Sequence, residues 1–164
     1  MSSLTKVHWD SKLPIYDISP KKIHNLGIRC LLLDVDGTLL NRNSINIPKK
    51  VKKWIKESKA LFKLYLISNN PSEKRISDIG NQLGISYKFK ALKPSKNNTL
   101  EIINKMGVNK KHIAIIGDRI FTDIIVGNRC EIKTILVKRL NRNGLPLKIN
   151  FTLIIEKFIS LLLF

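Results

Sequence analysis

Short apolar runs alternate with stretches of helical periodicity along most of the chain. The apolar runs have no helical period, which predicts buried strands. They lie at 28–34, 62–68, 85–91, 112–118 and 133–139. Helices are predicted between them, at 48–60, 69–84, 93–107 and 119–131. Strands that alternate with helices favour a parallel sheet covered on both faces, so we expect an α/β three-layer sandwich with five parallel strands.

The predicted strands occupy one domain with a further segment on each side. Residues 27–140 hold the strands, and residues 1–26 are a mixed lead-in segment. Residues 141–164 are a loop followed by the hydrophobic sequence FTLIIEKFISLLLF. This sequence packs on the domain as a last helix, which we favour, or lies at a membrane surface as an amphipathic anchor. Glu156 and Lys157 interrupt it, so it is too short to span a membrane.

The charge of the chain is strongly positive. The 30 Lys and Arg residues exceed the 12 Asp and Glu residues and give a net charge of +18. This balance favours partners that carry phosphate, among them anionic membrane surfaces and nucleic acid. Compositional drift towards Lys, Asn and Ile explains the same excess, and both interpretations stay open.

Cysteine usage and the first residues indicate the compartment. Cys30 and Cys130 have no metal-ligand spacing, which predicts partly buried, reduced thiols. Residues 1–20 lack the apolar core of a secretory signal. We therefore expect a protein that is not secreted. Its expected location is the cytoplasm or an organelle stroma or matrix, either free or peripheral to a membrane.

Polar residues follow the predicted strands at the points where the strands end. They are Asp34 and Asp36, Ser68, Asn69 and Asn70, Lys93, and Asp118 and Asp123. Ligands of parallel sheets bind at the carboxyl ends of strands, so we expect these side chains to share one site. Carboxylates of this kind suit Mg²⁺, which prefers oxygen ligands.

The residue types in this group cover the steps of phosphoryl transfer. A carboxylate can attack phosphorus, and a second carboxyl can act as general acid and then as base. A hydroxyl and a lysine can hold phosphoryl oxygens and stabilise charge in the transition state. Asp34, Asp36, Ser68 and Lys93 are the candidates for these tasks.

Four motifs in this order resemble those of the haloacid dehalogenase (HAD) superfamily of Mg²⁺-dependent phosphatases. They are DVDGTL, SNN, KPS and GDRIFTD, within about residues 27–139. The longer stretches SNNPSEKRI and GDRIFTDIIVGNR are similar to the YqeG subgroup, which is similar to phosphatidylglycerophosphate phosphatases. The resemblance implies a Rossmann-like, HAD-like fold. The short spacers between the motifs leave no room for a cap domain.

The resemblance also implies roles for single residues. Asp34 corresponds to the nucleophile and a Mg²⁺ ligand, and Asp36 to the general acid and base with its backbone carbonyl on the metal. Ser68 corresponds to a catalytic hydroxyl that binds the phosphoryl group, and Lys93 to the lysine that pairs with nucleophile and phosphate. Asp118 and Asp123 complete the metal site. Gly37, Thr38 and Asn69 correspond to phosphate-binding positions.

The function expected from these motifs is hydrolysis of a phosphate monoester through an aspartyl-phosphate, by a monomeric enzyme. The favoured substrate is phosphatidylglycerophosphate, a lipid-borne ester, with peripheral contact to an anionic membrane. One alternative is a phosphatase of soluble small molecules or nucleic-acid ends, although nucleic acid is the less favoured partner. A second alternative is a HAD-fold binding module without turnover. Arg119 and Arg129 could meet the substrate, but the favoured interpretation is that both are solvated side chains.

Overall fold

The structure, a computed structural model, describes the backbone of residues 4–163 and the side chains of residues 4–160. Six strands form one parallel sheet. They are β1 (Trp9–Asp10), β2 (Cys30–Leu33), β3 (Lys63–Ile67), β4 (Tyr87–Lys88), β5 (Ile113–Gly117) and β6 (Lys133–Leu136). Their order in the sheet is β1–β6–β5–β2–β3–β4. The α/β fold with a parallel sheet confirms the sequence prediction.

Helices connect the strands. They are α1 (Pro20–Asn25), α2 (Lys49–Lys59), α3 (Glu73–Leu83), α4 (Asn97–Met106), α5 (Ile125–Arg129) and α6 (Phe151–Leu163). A π-helical turn, Ile120–Ile124, leads from β5 into α5. Short 3₁₀ turns lie at Ile15–Asp17 and Lys110–His112.

The side chains of β2 alternate between the two faces of the sheet, and each face has its own helical layer. Leu31 and Leu33 belong to the core cluster that contains the buried residues of α2 and α3. Cys30 and Leu32 belong to the cluster formed with α4 and α5. All four β2 residues are buried, as expected for the central strand of a parallel sheet. The sandwich therefore has three layers.

The sheet has one strand more than the five that the sequence predicts. Trp9 and Asp10 pair in parallel with Ile135 and Leu136 of β6, within the segment expected to be a lead-in. A two-residue edge strand is too short to show the alternation of polar and apolar residues by which strands are recognised. Residues 1–3 and 164 of the predicted terminal segments lie outside the described residues.

Helix α3 begins directly after the loop that carries Ser68 and Asn69. The hydroxyl of Ser72 accepts a hydrogen bond from the backbone N–H of Arg75, 3.3 Å away, which caps the first turn. The first turn of α3 therefore lies beside the carboxyl end of β3. Across the residues that the structure describes, the helices are too short or too polar to cross a membrane.

Candidate active site

The carboxyl ends of β5, β2 and β3 form the candidate active site. Strand β2 lies between the other two and pairs in parallel with both. Asp34, Ser68 and Asp118 are each the first residue after one of these strands. The three side chains therefore leave the sheet at the same edge, where ligands of parallel α/β proteins bind.

Lys93 is buried at the centre of the site. Its ammonium group lies 2.7 Å from Asp34 Oδ1, 2.6 Å from Asp123 Oδ1 and 3.1 Å from the backbone oxygen of Ile67. These contacts use all of its donor hydrogens. Burial favours the neutral amine, but Asp123 and Asp34 outweigh it and hold the pKa of Lys93 above its ordinary value. Lys93 is therefore a fixed cation between two carboxylates.

Asp34, Asp118 and Asp123 form a compact carboxylate cluster. Each offers an oxygen, and these oxygens lie within 4.8 Å of one another. Burial, and then repulsion from Asp34, raise the pKa of Asp118 well above its ordinary value. Burial also raises the pKa of Asp123 to about 6, although Lys93 lowers it.

The same cluster fits a divalent cation. Asp118 Oδ2 is buried without a hydrogen-bond partner, and its nearest cation is Arg139 Nε at 3.5 Å. Buried carboxylate oxygens at this spacing match the ligands that Mg²⁺ prefers. Asp118 thus has a buried, unsatisfied oxygen at the position where the sequence predicts a metal ion.

Two glycines make room for the cluster. A Cβ atom on Gly117 would lie 2.3 Å from the carboxyl carbon of Asp123. A Cβ atom on Gly37 would lie 2.7 Å from Asp118 Oδ2, and Gly37 also has a φ of +100°. Only glycine fits at either position without displacing a carboxylate.

Thr38 and Gly37, which are predicted to bind phosphate, lie against the carboxylate cluster. Thr38 is fully buried, and its hydroxyl lies 3.0 Å from Asp34 Oδ2 and 3.4 Å from Asp118 Oδ1. The backbone N–H of Gly37 donates to the carbonyl of Leu40 at 2.8 Å, which takes it away from a ligand. Thr38 therefore orients the carboxylates, and Gly37 gives them space.

Ser68 and Asn69 follow β3 and line the same cavity as Lys93. Asn69 holds the backbone of Lys93 twice, because its amide nitrogen donates to the Lys93 carbonyl and its oxygen accepts from the Lys93 N–H, each at 2.7 Å. The Ser68 hydroxyl accepts from the backbone N–H of Asn70 at 3.1 Å. That bond leaves the Ser68 hydroxyl hydrogen for another acceptor. Asn69 is thus a positioning residue for Lys93.

Asp36 lines the same cavity as Asp34, but other residues hold it. Its Oδ1 lies 2.8 Å from a guanidinium nitrogen of Arg75, and its Oδ2 accepts from the Asn70 amide at 2.9 Å. The same Arg75 nitrogen also donates to the backbone oxygens of Asn41 and Ser44, at 3.2 and 2.9 Å. Arg75 therefore holds both Asp36 and the loop that follows β2.

Arg75 was not predicted as a site residue, although the sequence carries a signal for it. Arg75, Ile79 and Leu83 are spaced by four residues, which places them on one face of α3. Ile79 and Leu83 are buried. A single arginine on the apolar face of a helix needs a partner, and that helix begins next to the predicted site.

A cavity of about 150 Å³ opens above the carboxylates. Its rim carries three arginines, Arg42, Arg119 and Arg139, beside Asp34, Asp36, Ser68 and Lys93. Arg119, interpreted as a solvated side chain, is 43% exposed, lines this cavity and has its Nε 3.2 Å from Glu156. Arg129 is exposed, as expected. A cationic rim over a phosphate-sized cavity suits an anionic ligand.

Comparisons with known proteins agree with these features. The chain is 32% identical over 124 residues to the probable phosphatase YqeG of Bacillus subtilis, covering 75% of this chain and 72% of the relative. It is 24% identical over 163 residues to a chloroplast and mitochondrial phosphatidylglycerophosphate phosphatase of Arabidopsis thaliana. That match spans 89% of this chain and 47% of the relative.

A family model and two solved structures are also similar to the chain. The model described as HAD-hydrolase-like matches residues 91–144. An uncharacterized protein from Listeria monocytogenes superposes with a TM-score of 0.55 at 19% identity, over 76% of this chain and 84% of the other. A hypothetical protein from Xanthomonas campestris superposes with a TM-score of 0.56 at 16% identity, over 82% and 75%. The two solved structures support the fold.

Proposed function

Because the chain belongs to the YqeG family of HAD-type phosphatases, we propose that it hydrolyses phosphate monoesters through an aspartyl-phosphate on Asp34. The position of Asp34 carries this proposal. Its carboxylate faces the cavity at the end of the central strand, with Lys93 on one oxygen and Thr38 on the other. A buried carboxylate with fixed partners is held in one orientation for attack on phosphorus.

In the first step, a carboxylate oxygen of Asp34 attacks phosphorus, and the bond between phosphorus and the ester oxygen breaks. Asp36 donates a proton to the departing alkoxide as general acid. Ser68 donates a hydrogen bond to a phosphoryl oxygen, and the charge of Lys93 stabilises the negative charge that develops there. The products of this step are the free alcohol and the aspartyl-phosphate.

In the second step, Asp36 takes a proton from a water molecule, and the resulting hydroxide attacks phosphorus. The bond between phosphorus and the Asp34 oxygen breaks, which releases inorganic phosphate and restores the carboxylate. Arg75 and Asn70 keep the Asp36 carboxylate in place through both steps.

Mg²⁺ is the cofactor that we propose for this site. Asp34, Asp118 and Asp123 would hold it, together with the backbone carbonyl of Asp36. The ion would offset repulsion among the carboxylates and the phosphoryl group. The buried, unpartnered Oδ2 of Asp118 supports this assignment.

For the substrate, we propose a lipid-borne ester of the phosphatidylglycerophosphate class. Two observations support it: the Arabidopsis relative is named for that activity, and the cavity has a rim of arginines. Such a lipid carries a phosphodiester next to its terminal phosphate. Arg42, Arg119 and Arg139 could pair with the diester while the terminal phosphate lies against Asp34.

The test compares phosphate release from three kinds of substrate. They are phosphatidylglycerophosphate in mixed micelles, soluble esters such as p-nitrophenyl phosphate, and oligonucleotides with a 5′-phosphate. We expect Mg²⁺-dependent turnover of both micellar lipid and soluble ester, with the higher kcat/KM for the lipid. If the lipid is ignored while soluble esters or oligonucleotide ends are cleaved well, the lipid assignment is wrong and the soluble alternative replaces it.

Asp34→Asn tests the nucleophile, because an amide cannot form the phosphoryl ester. We expect kcat to fall at least about a thousandfold on every substrate. Asp17→Asn is the matched control, since Asp17 is an exposed aspartate on the first 3₁₀ turn. Unchanged turnover in Asp34→Asn would contradict the nucleophile assignment, and a wild type without any turnover would favour the binding-module alternative.

A further inference from the structure

The outward face of α6 is an apolar stripe. Phe151, Ile154, Ile155 and Phe158 recur at helical spacing and are 72%, 55%, 57% and 63% exposed. We call these four side chains the α6 stripe. A surface helix of a globular domain normally turns polar residues towards water at such positions. A contiguous apolar face of this kind marks a contact with something other than water.

Polar contacts on the inward face hold the stripe in this orientation. Glu156 is 3% exposed. It accepts from the backbone N–H of Ile120 at 2.7 Å and from Arg119 at 3.2 Å. Lys157 donates to Asp10 at 3.1 Å, and Leu153 packs beside the cluster around Ile120. Rotating the helix to bury the stripe would break these contacts, so the exposure of the stripe is built into the fold.

The surroundings of the stripe are apolar and basic. Leu145 and Ile149, in the loop before α6, are 52% and 59% exposed. Arg142 and Lys148 in the same loop are exposed. Exposed apolar side chains accompanied by Lys and Arg are the usual composition of helices that lie in a membrane interface.

The net charge decides between the candidate occupants of this face. A second copy of the chain would bring together two bodies that each carry +18, and their repulsion opposes association. An anionic bilayer instead attracts that charge and offers an apolar layer to the stripe. We propose that the α6 stripe inserts into the interface of an anionic phospholipid bilayer.

This contact would lie close to the candidate active site. Glu156 on the inward side of α6 holds Arg119, which lines the cavity. Arg119 therefore links the inward side of α6 to the cavity. Membrane binding does not depend on the proposed hydrolysis, but it would bring a lipid-borne phosphate next to Asp34.

Vesicle sedimentation tests the proposal with the full chain. The probes are vesicles of phosphatidylcholine alone and of phosphatidylcholine with an equal amount of phosphatidylglycerol. We expect the wild type to bind the anionic vesicles. The double substitution Ile154→Ser with Phe158→Ser should lower the partition coefficient about tenfold or more, because two inserted side chains are lost.

Leu26→Ser is the matched control, since Leu26 is 60% exposed but follows α1 rather than lying on α6. It should bind vesicles like the wild type. Both variants should keep the wild-type melting temperature and the wild-type turnover of p-nitrophenyl phosphate. Turnover without vesicle binding would overturn the docking proposal alone, and binding without turnover would overturn the proposed function alone.

Two further outcomes would overturn the proposal. If anionic vesicles bind the wild type and the double variant equally, and salt removes both, the charge acts without the stripe. If light scattering shows a dimer that the double substitution dissociates, and vesicles do not bind, the stripe is an interface between copies of the chain.

Discussion

At the scale of single residues, Arg75 joins two parts of the site that are far apart in sequence. It contacts the Asp36 carboxylate and the backbone oxygens of Asn41 and Ser44. Its Nε and one terminal nitrogen are buried without hydrogen-bond partners. The described contacts of the guanidinium are thus with Asp36 and the loop after β2. Its removal should therefore affect the acid–base step more than substrate binding.

We expect Arg75→Ala to lower kcat by about 10- to 100-fold with a smaller change in KM, because Asp36 loses the partner that orients it. Kinetics with p-nitrophenyl phosphate provide the measurement, and added guanidinium should restore part of kcat. Lys74→Ala is the control, since Lys74 is the preceding residue on α3, is exposed and pairs with the half-buried Asp78. A rise in KM alone, with kcat unchanged, would show that Arg75 serves substrate binding instead.

Single residues could be predicted where their place at the end of a strand determines their neighbours. Asp34, Lys93, Asp118 and Asp123 come together as expected, because strand ends in a parallel sheet share one edge. The contact of the Thr38 hydroxyl with Asp34 and Asp118 could not be predicted, because a hydroxyl beside a phosphate and a hydroxyl behind a carboxylate look the same in sequence. Only the burial of its side chain separates the two roles.

At the scale of elements, the proposed metal site depends on two strand ends and one turn. Asp34 follows β2, Asp118 follows β5, and Asp123 lies in the π-helical turn. A cation that binds these carboxylates only in the folded state stabilises that state. At a concentration 100 times its dissociation constant, the gain is about 2.7 kcal/mol, or about 5–10 °C in melting temperature for a domain of this size.

We therefore expect MgCl₂ to raise the melting temperature of the wild type and EDTA to reverse the rise. Asp118→Asn should abolish most of this shift. Without Mg²⁺ the variant should be at least as stable as the wild type, because it removes a buried carboxylate that Asp34 and Asp123 repel. Asp78→Asn is the control, as a half-buried surface aspartate on α3 that pairs with Lys74. An equal Mg²⁺ shift in Asp118→Asn would place the cation elsewhere.

The attachment of α6 is a second property of an element. Glu156 accepts the backbone N–H of Ile120, and this buried donor would lose its partner in Glu156→Ala. An unsatisfied buried donor costs about 1–3 kcal/mol. We expect the variant to speed amide hydrogen exchange across residues 153–160 and to leave exchange in β2 unchanged. Glu57→Ala, an exposed position on α2, is the control, and unchanged exchange in α6 would contradict this role of Glu156.

The strands that form continuous apolar runs could be predicted from the sequence. Strands β2, β3, β5 and β6 lie within the expected ranges, since each is an apolar run bounded by polar residues. Strand β1 has two residues, and its existence depends on pairing with β6, which no local pattern reveals. The orientation of α6 could not be predicted either, because the polar Glu156 faces inward and the apolar stripe faces outward.

At the scale of the whole molecule, the net charge of +18 is the dominant property. Unpaired positive charges repel one another more in the compact state than in the expanded chain, which lowers stability at low salt. The Debye length falls from about 30 Å at 0.01 M to about 8 Å at 0.15 M, so added salt screens most of this repulsion. Surface ion pairs, which salt weakens, contribute little by comparison.

We expect the melting temperature at pH 7 to rise by about 2–4 °C between 0.01 M and 0.15 M NaCl, equivalent to about 1 kcal/mol. KCl should produce the same rise, because screening depends on ionic strength and not on the identity of the monovalent cation. Thermal denaturation followed by circular dichroism measures both series. A melting temperature that falls with salt would mean that ion pairs such as that of Arg75 with Asp36, and not the repulsion among lysines, dominate the electrostatic stability.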